Sequence, residues 1–460
     1  MAFQGDKNES SYIPGFHQYQ PPRHPKHNQF SHVSTDPMGE DWTAVVNAEC
    51  YRVLADLGVF ALATFDAYAT VRHSVSEIDP NTGAEINRNL GNNGIGDSFI
   101  HAILPDLPHD DVQLLIRAGK IQFTRDSGGV APLFFWAPES ALSTLVLEEI
   151  AAAGYKGLML APHQVRQDEA GVASDNRPTK LTLPSGRVLQ AIPFDKQASH
   201  AFAFEPKHNA NNFVVDQLLP AFMRVVDGLP LVTFTDAETF GHHWKGGAEF
   251  LHYLLTIALP NRGTSIISIN QLEQIWDRVG FNIHDGHHNG HLVERSAWSC
   301  HCGDLRRWND ICACGPNSEW KKPFYQLCKD MNGWIKQVAY SQLPNEHRHW
   351  LEENFSDALN NPGGIYSNVT MSILSAESSM LAALTSCATF FEDPHTSGRI
   401  NVLFMLQGIE HLRDAGLTII ADKMRRELEK RLQQIPDKAE PHTNLWQTMS
   451  QMLDGKMVPA

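Results

Sequence analysis

An excess of positive charge, a long apolar run and an export signal are all missing from this sequence. Lys and Arg number 37 against 52 Asp and Glu, for a formal charge of −15. That balance argues against a nucleic-acid partner or an anionic membrane surface, since both need clustered cations. No stretch approaches the roughly 18 apolar residues of a membrane helix; the nearest, Met380–Phe391, is interrupted by Thr385, Ser386 and Thr389. The opening MAFQGDKNES has no basic start followed by an apolar core, which predicts a cytoplasmic protein. Its seven cysteines are then expected to be reduced. No internal repeat is visible. What remains is an ordinary globular composition, 42% hydrophobic and 19% charged over 460 residues, too long for one simple core. Uncharged substrates, neutral sugars among them, stay open, and so does homo-oligomerisation.

Along the chain, residues 1–36 are rich in Gln, His, Asn, Pro and Ser without periodicity and read as an extended N-terminal arm over a larger body. From Asp41 apolar residues recur at helical spacing, and Val59–Phe65 reads as a strand. Ser74–Ile95, with its Asn-Thr-Gly and Gly-Asn-Asn-Gly, reads as a surface loop. A helix over Asp110–Ala118 is expected to stop at Gly119. Strands follow at Lys120–Thr124, Leu133–Trp136, Gly157–Ala161, Val188–Ile192, Ala201–Phe204, Leu231–Thr235 and Thr264–Ser268, with helices at Ser140–Ala153, Asn212–Val226 and Gly247–Leu259. This alternation predicts an α/β fold, an incomplete (β/α)-barrel over 37–318. Beyond about Glu319 only helical periodicity remains, so 319–460 is expected to be an α-helical bundle domain.

Chemistry should sit where barrel strands end. The apolar strand LVTFT runs without a turn into Asp236, Glu238, His242 and His243, groups that are costly to desolvate and have little reason to gather there for structure alone. A polar loop following a core strand is the bland reading. Two further strands deliver titratable side chains at the same position, LFFW into Glu139 and GLMLA into His163. Carboxylates from different strands suit glycoside hydrolysis, one protonating the leaving oxygen while the other attacks or directs water. Trp136, Phe240 and Trp244 lie close by in sequence and suit either sugar faces or the core.

The motifs HQYQPPR, AECY, HAILP, FFWAPES, APHQ, TFTDAETFGHHW, SAWSC with RRW and CAC, and TSCATFFED follow in order from about Gly15 to Asp393. In this order they resemble glycoside hydrolase family 57, in particular a subgroup with an uncharacterised carboxy-terminal helical domain. The resemblance implies a retaining glycosidase or transglycosylase of α-amylase or glucanotransferase type, acting on an α-linked glucan or related glycan. It makes Glu139 the nucleophile and Asp236 the general acid/base, with the N-terminal arm contributing to the cleft. His17, His163 and His242 would line the sugar subsite with Trp136, Trp244 and Trp298. No cofactor is required for this mechanism. Retention implies carboxylates about 5–5.5 Å apart, with Glu139 low in pKa and Asp236 raised. The sequence departs from the pattern after VFALATF and in the extra Cys of SAWSCHCGD, which bears on substrate and activity.

Other readings compete. Cys300, Cys302, Cys312 and Cys314 form two C-x-C pairs nine residues apart, a set able to bind zinc or an iron–sulfur centre, although zinc knuckles favour C-x2-C. The alternative is a packed loop of reduced thiols. The His-rich turn His284–His291 reads as a surface loop, with a metal site or an active-site lid as the alternatives. A metal-dependent, deacetylase-like barrel hydrolase would gather Asp236, His242, His243 and His17 around one ion, yet adjacent histidines point apart. A catalytically retired glycan-binding scaffold would have its two carboxylates separated.

Overall fold

The computed structural model describes residues 10–22, 41–167, 177–205, 209–226, 228–283, 288–315, 318–360, 369–391, 394–436 (394–397 by backbone only), 444–447 and 450. In chain order its strands are Ser11–Gln18 (β1), Thr64–Ala67 (β2), Phe134–Phe135 (β3), Gly157–Leu160 (β4), Val165–Gln167 (β5), Thr179–Thr182 (β6), Val188–Pro193 (β7), Leu231–Asp236 (β8), Ser265–Ile266 (β9) and Asn289–Leu292 (β10). One group runs β2-β1-β8 with β9 also on β1; the other runs β3-β4-β7-β6-β10-β5. Single links join the groups. Ile95 N–H donates to Phe65 O at 2.8 Å and Gly96 N–H to Phe134 O at 2.9 Å, bridging β2 to β3, while Asp195 N–H donates to Val232 O at 2.7 Å beside β8. This is the incomplete barrel that the alternation predicts. Ile13, Phe134, Met159, Ile192 and Val232, one from each of five strands, are buried together inside it, each worth about 1.5–3 kcal/mol of burial.

The hub of the barrel was hidden in the sequence. Ser11–Gln18, read as part of an arm, is a strand buried along its whole length and pairs in parallel with β2, β8 and β9. Pro14 and Gly15 disguise it. A Cβ on Gly15 would lie 2.3 Å from the Phe234 ring and 2.7 Å from Thr233 O, so the glycine marks close strand packing rather than a turn. The rest of the expected arm, 1–9 and 23–36, lies outside the described residues.

Other expectations are corrected. Ser74–Ile95 is not a loop: helices Ala69–Ile78 and Pro80–Asn93 meet there, the second capped by Asp79, which accepts from Thr82 N–H, with Pro80 in the first turn. Gly83 lets the two approach, since a Cβ on it would meet Ser76 at 2.3 Å. Lys120–Thr124 belongs to the helix His109–Asp126. Gly119 sits in its middle because a Cβ would strike Asp97 O at 2.2 Å. Ala201–Phe204 closes a helix, Lys196–Phe204, capped by Asp195. Of Val59–Phe65 only Thr64 and Phe65 lie in a strand, β2, while Val59–Ala61 is a short 3-10 turn, and the helix expected from Ser140 starts at Thr144 behind its cap Ser143. Of the His-rich turn, 284–287 lie outside the described residues and Asn289–Leu292 is a strand.

The helical bundle comprises Lys321–Gln342, His347–Leu359, Val369–Ala382, Cys387–Phe390, Pro394–Asp414 and Thr418–Leu432. It shares one continuous apolar core with the barrel helices: Leu115, Leu142 and Leu147 join Phe324, Met331, Phe355 and Leu381. Buried Arg348 bonds Asp111 at 2.7 Å and also Glu377, pinning the helix His347–Leu359 to His109–Asp126. Among the described residues no helix is long and apolar enough to cross a membrane.

Candidate active site

Three neighbouring parallel strands end in register with polar side chains. His17 of β1 lies opposite Asp66 of β2 on one side and Asp236 of β8 on the other. Residues paired in register project to the same face, with strands about 4.8 Å apart, so an imidazole stands between two carboxylates. His17 Nδ1 bonds Asp66 Oδ2 at 2.8 Å, and Asp66 is fully buried. Burial alone would lower the pKa of His17, but the Asp66 carboxylate outweighs it, with Asp236 and Glu238 adding, and raises it to about 9. Burial raises the Asp66 carboxyl despite the opposing pull of His17. Asp236 itself is exposed, the open side of the row.

Glu139 stands on a strained turn. It follows β3 with φ 57° and ψ 14°, and Ser140 follows with φ 47°. Two successive non-glycine residues in the left-handed region cost on the order of 1–3 kcal/mol each and persist only when neighbours fix them. The neighbours are Trp298, whose N–H donates to Glu139 O at 3.0 Å, and Gln164. The buried Gln164 amide donates to Ser140 O at 2.6 Å and to Ser296 Oγ at 3.2 Å, while its carbonyl accepts from Ser140 Oγ at 2.7 Å and from Ala161 N–H at 3.0 Å. The Glu139 carboxylate accepts from Ser386 Oγ at 2.8 Å, from the helical bundle. Burial raises its pKa, opposed by the hydroxyls of Ser299 and Ser386 and by His17, with the charge of Asp236 adding to the rise. The expected low pKa is thus corrected in direction, because burial exceeds the hydroxyl and imidazole contributions.

Two further clusters close the site. Tyr19 stacks on His101 at 3.8 Å and bonds Thr385 Oγ1 at 2.5 Å. His101 Nδ1 meets Ser386 Oγ at 2.7 Å and lies 3.9 Å from Glu139 Oε1. Burial, with the His17 charge beside it, holds His101 well below the usual imidazole pKa, so it is neutral. Across the row, buried Glu238 is bonded by Tyr51 and, at 3.2 Å, by Gln20. Burial first, then the charge of Asp236, pushes its carboxyl up to about 7.

The expected site residues divide. His17, Glu139 and Asp236 converge, Asp236 acting on both of the others through its charge. His163 is half-buried, with Nε2 against Ala297 O at 3.1 Å. Trp298 is half-exposed and packs edge-on against Trp136 at 5.8 Å. Trp136 is completely buried, 4.1 Å from Phe234 and 6.0 Å from His17. It floors the site and offers no face to a sugar, a correction to its expected role. His242 bonds Glu49 at 2.6 Å rather than Asp236, and Trp244 packs on Phe250 at 5.0 Å. Among the described residues, only Cys300, Cys302, Cys312 and Cys314 bring three or more His, Cys, Asp or Glu ligand atoms together as a metal site would. The rival reading, an ion among His17, Asp236, His242 and His243, finds no such grouping among the described residues. Asp66, His101, Gln164 and Ser386 were given no role from sequence, and Glu238 was noted beside Asp236 without one. Asp66 directly follows the apolar VFALATF and obeyed the same strand-end rule; the others sit inside motifs that carried no stated role.

The segment holding Glu139, Gln164 and Asp236 is the part of the chain that matches a known family. Residues 94–281 match the family described as Glycosyl hydrolase family 57. The family 57 resemblance read from the motifs is therefore borne out. Among solved structures, the chain is similar to an exo-type maltose-forming amylase from Pyrococcus sp. ST04, with 16% identity, a TM-score of 0.74, and 93% of this chain and 84% of that one covered. A family 57-type branching enzyme from Pyrococcus horikoshii aligns with 13% identity and a TM-score of 0.62, covering 93% and 96%. An α-amylase from Thermotoga maritima aligns with 12% identity and a TM-score of 0.56, covering 96% and 99%. At these identities the likeness is one of fold. No curated protein matches the chain by sequence.

Proposed function

We propose that this chain is a glycoside hydrolase or transglycosylase that acts on α-linked glucan with retention, Glu139 being the nucleophile and Asp236 the general acid/base. The observation that carries it is the Glu139 turn: a buried carboxylate held in a strained backbone by Trp298 and Gln164, aimed by Ser386, and within the field of Asp236. Strain kept by surrounding bonds is characteristic of a working site. The α-glucan assignment draws on the family match and on the amylase and branching activities named for the similar structures.

The reaction divides among these groups. Asp236, at the open edge, donates its proton to the glycosidic oxygen while Glu139 attacks the anomeric carbon, forming a glycosyl-enzyme. Water or a second sugar, deprotonated by Asp236, then displaces Glu139. His17, held cationic by Asp66, stabilises the ionised form of Glu139 before attack. Trp298, half-exposed beside Glu139, supplies an apolar face for a sugar ring. The helical domain completes the cleft through Ser386.

The test is incubation of the pure protein with maltooligosaccharides, amylose and branched α-glucans, following products and their anomeric configuration by proton NMR. Retained α-products, lost in Glu139→Gln, are expected. Inverted products would overturn the mechanism; glycan binding without turnover would identify a retired scaffold.

A further inference from the structure

We propose that Cys300, Cys302, Cys312 and Cys314 bind one zinc ion through four thiolates, and that this ion fastens the segment 296–315 against the backbone of Glu139. The four Sγ atoms all lie within 4.8 Å of one another. Their close approaches are 3.6 Å for Cys300–Cys312, 3.3 Å for Cys302–Cys312 and 3.2 Å for Cys302–Cys314. Tetrahedral zinc with bonds of about 2.3 Å sets sulfur–sulfur edges of roughly 3.8 Å, so small adjustments close the cage. An iron–sulfur cluster spreads its thiolates over several metal atoms and needs a wider one. Two disulfides would sort the sulfurs into pairs, but Cys302 and Cys312 each have two sulfur neighbours. Cys300 and Cys312 are buried, while Cys302 is half-exposed and Cys314 exposed, which gives an ion a route in. On binding, each thiol releases its proton to solvent and no electron is transferred.

The need for such a fastening is physical. The segment has one four-residue helix, Arg306–Asn309, and a small apolar cluster in which Ile103, Ala297, Leu305 and Trp308 surround two of the cysteines. A core of that size holds little on its own, and small modules rely on metals or cross-links. The same segment performs exact positioning. Trp298 N–H holds Glu139 O at 3.0 Å, Leu142 N–H donates to Ser296 O at 2.9 Å, and Ala297 O accepts from His163. Within the segment, Gly303 N–H reaches Cys300 O at 2.9 Å and Ala297 N–H reaches Gly303 O at 3.1 Å. Two short links therefore separate the thiolates from the Glu139 turn.

The experiment measures metal and thiols in the full chain, purified under reducing conditions without added metal, so it does not depend on glycan turnover. About one zinc per chain is expected, with four thiols unreactive until a chelator is added. The double variant Cys302→Ser/Cys314→Ser should lose the zinc, whereas Cys314→His, which keeps a nitrogen ligand, should retain it. Hydrogen exchange at the Trp298 amide should accelerate on zinc removal, while that at Phe234 in β8 stays slow. Metal-free protein with four freely reacting thiols, disulfides, or iron in place of zinc would each overturn the site. Zinc present with Trp298 exchange unaltered by its removal would overturn the fastening. Loss of glycan turnover with zinc intact would strike the proposed function and leave this site standing.

Discussion

The Ser386 hydroxyl donates a 2.8 Å hydrogen bond to Oε1 of Glu139, joining residues 247 apart in the chain. The helical bundle is thereby part of the candidate chemistry, because the Ser386 hydroxyl favours the ionised carboxylate. In Ser386→Ala the Glu139 pKa should rise further. The acid limb of kcat/KM should move to higher pH, with loss at low pH of roughly 10- to 100-fold, the worth of a bond to a charged group at about 1.5–3 kcal/mol. A pH–rate profile that overlays the wild type would reject the coupling.

Asp236→Asn should remove proton donation while keeping shape, lowering turnover by about 10²–10⁴-fold. Glu139→Gln should lose at least as much, since no glycosyl-enzyme can form. Thermal midpoints should stay close to wild type for Asp236→Asn, whose side chain is exposed. Azide added to Asp236→Asn should restore turnover as a glycosyl azide, detected by mass spectrometry; its absence would count against the two-step route.

Gln164 holds the strained turn from behind, so Gln164→Leu should act on fold and rate together. It leaves Ser140 O and the Ser296 hydroxyl without their amide donor, and an unsatisfied buried group costs on the order of 1–3 kcal/mol. Urea midpoints should fall accordingly and kcat should drop as Glu139 leaves its φ of 57°. An unchanged midpoint would mean that the turn is held by Trp298 alone.

Stability should decline as pH rises from mildly acidic to mildly alkaline. Glu238 is raised from 4.5 to about 7 and His17 from 6.5 to about 9. In both cases the folded state binds the proton more tightly, so the stabilisation is complete below the unfolded pKa and vanishes as pH passes the folded one. Glu238→Gln should flatten the curve between about 4.5 and 7, and Asp66→Asn, by releasing His17, the part between about 6.5 and 9. Urea midpoints from pH 5.5 to 9.5 measure this, and a wild-type curve level over that range contradicts it.

Strand ends were the most legible part of the sequence. LFFW, GLMLA and LVTFT announce themselves by apolar runs, and Glu139 and Asp236 follow from their position alone. What sequence concealed was long-range. Pro14 and Gly15 look like loop residues in β1 until Phe234 and Thr233 are packed against them; Gly119 looks like a stop until Asp97 O is found where its Cβ would go. Glycine required by a distant neighbour and glycine required by a turn are written with the same letter. Likewise Ser386 and Gln164 are ordinary polar residues whose meaning depends on partners far along the chain. His17 was found through its motif, while its pairing with Asp66 needed the register of two strands.

Because β1 is the hub, synthesis and assembly run out of step. The strand leaves the ribosome well before two of its partners, since it ends at Gln18 while β8 begins at Leu231 and β9 at Ser265. At roughly 5–20 residues per second, a buried-type segment must stay soluble for on the order of 10–50 seconds before its last neighbours exist. Nascent chains should therefore be most vulnerable to aggregation or proteolysis in that interval, and holding chaperones should improve recovery more than any change to the finished surface.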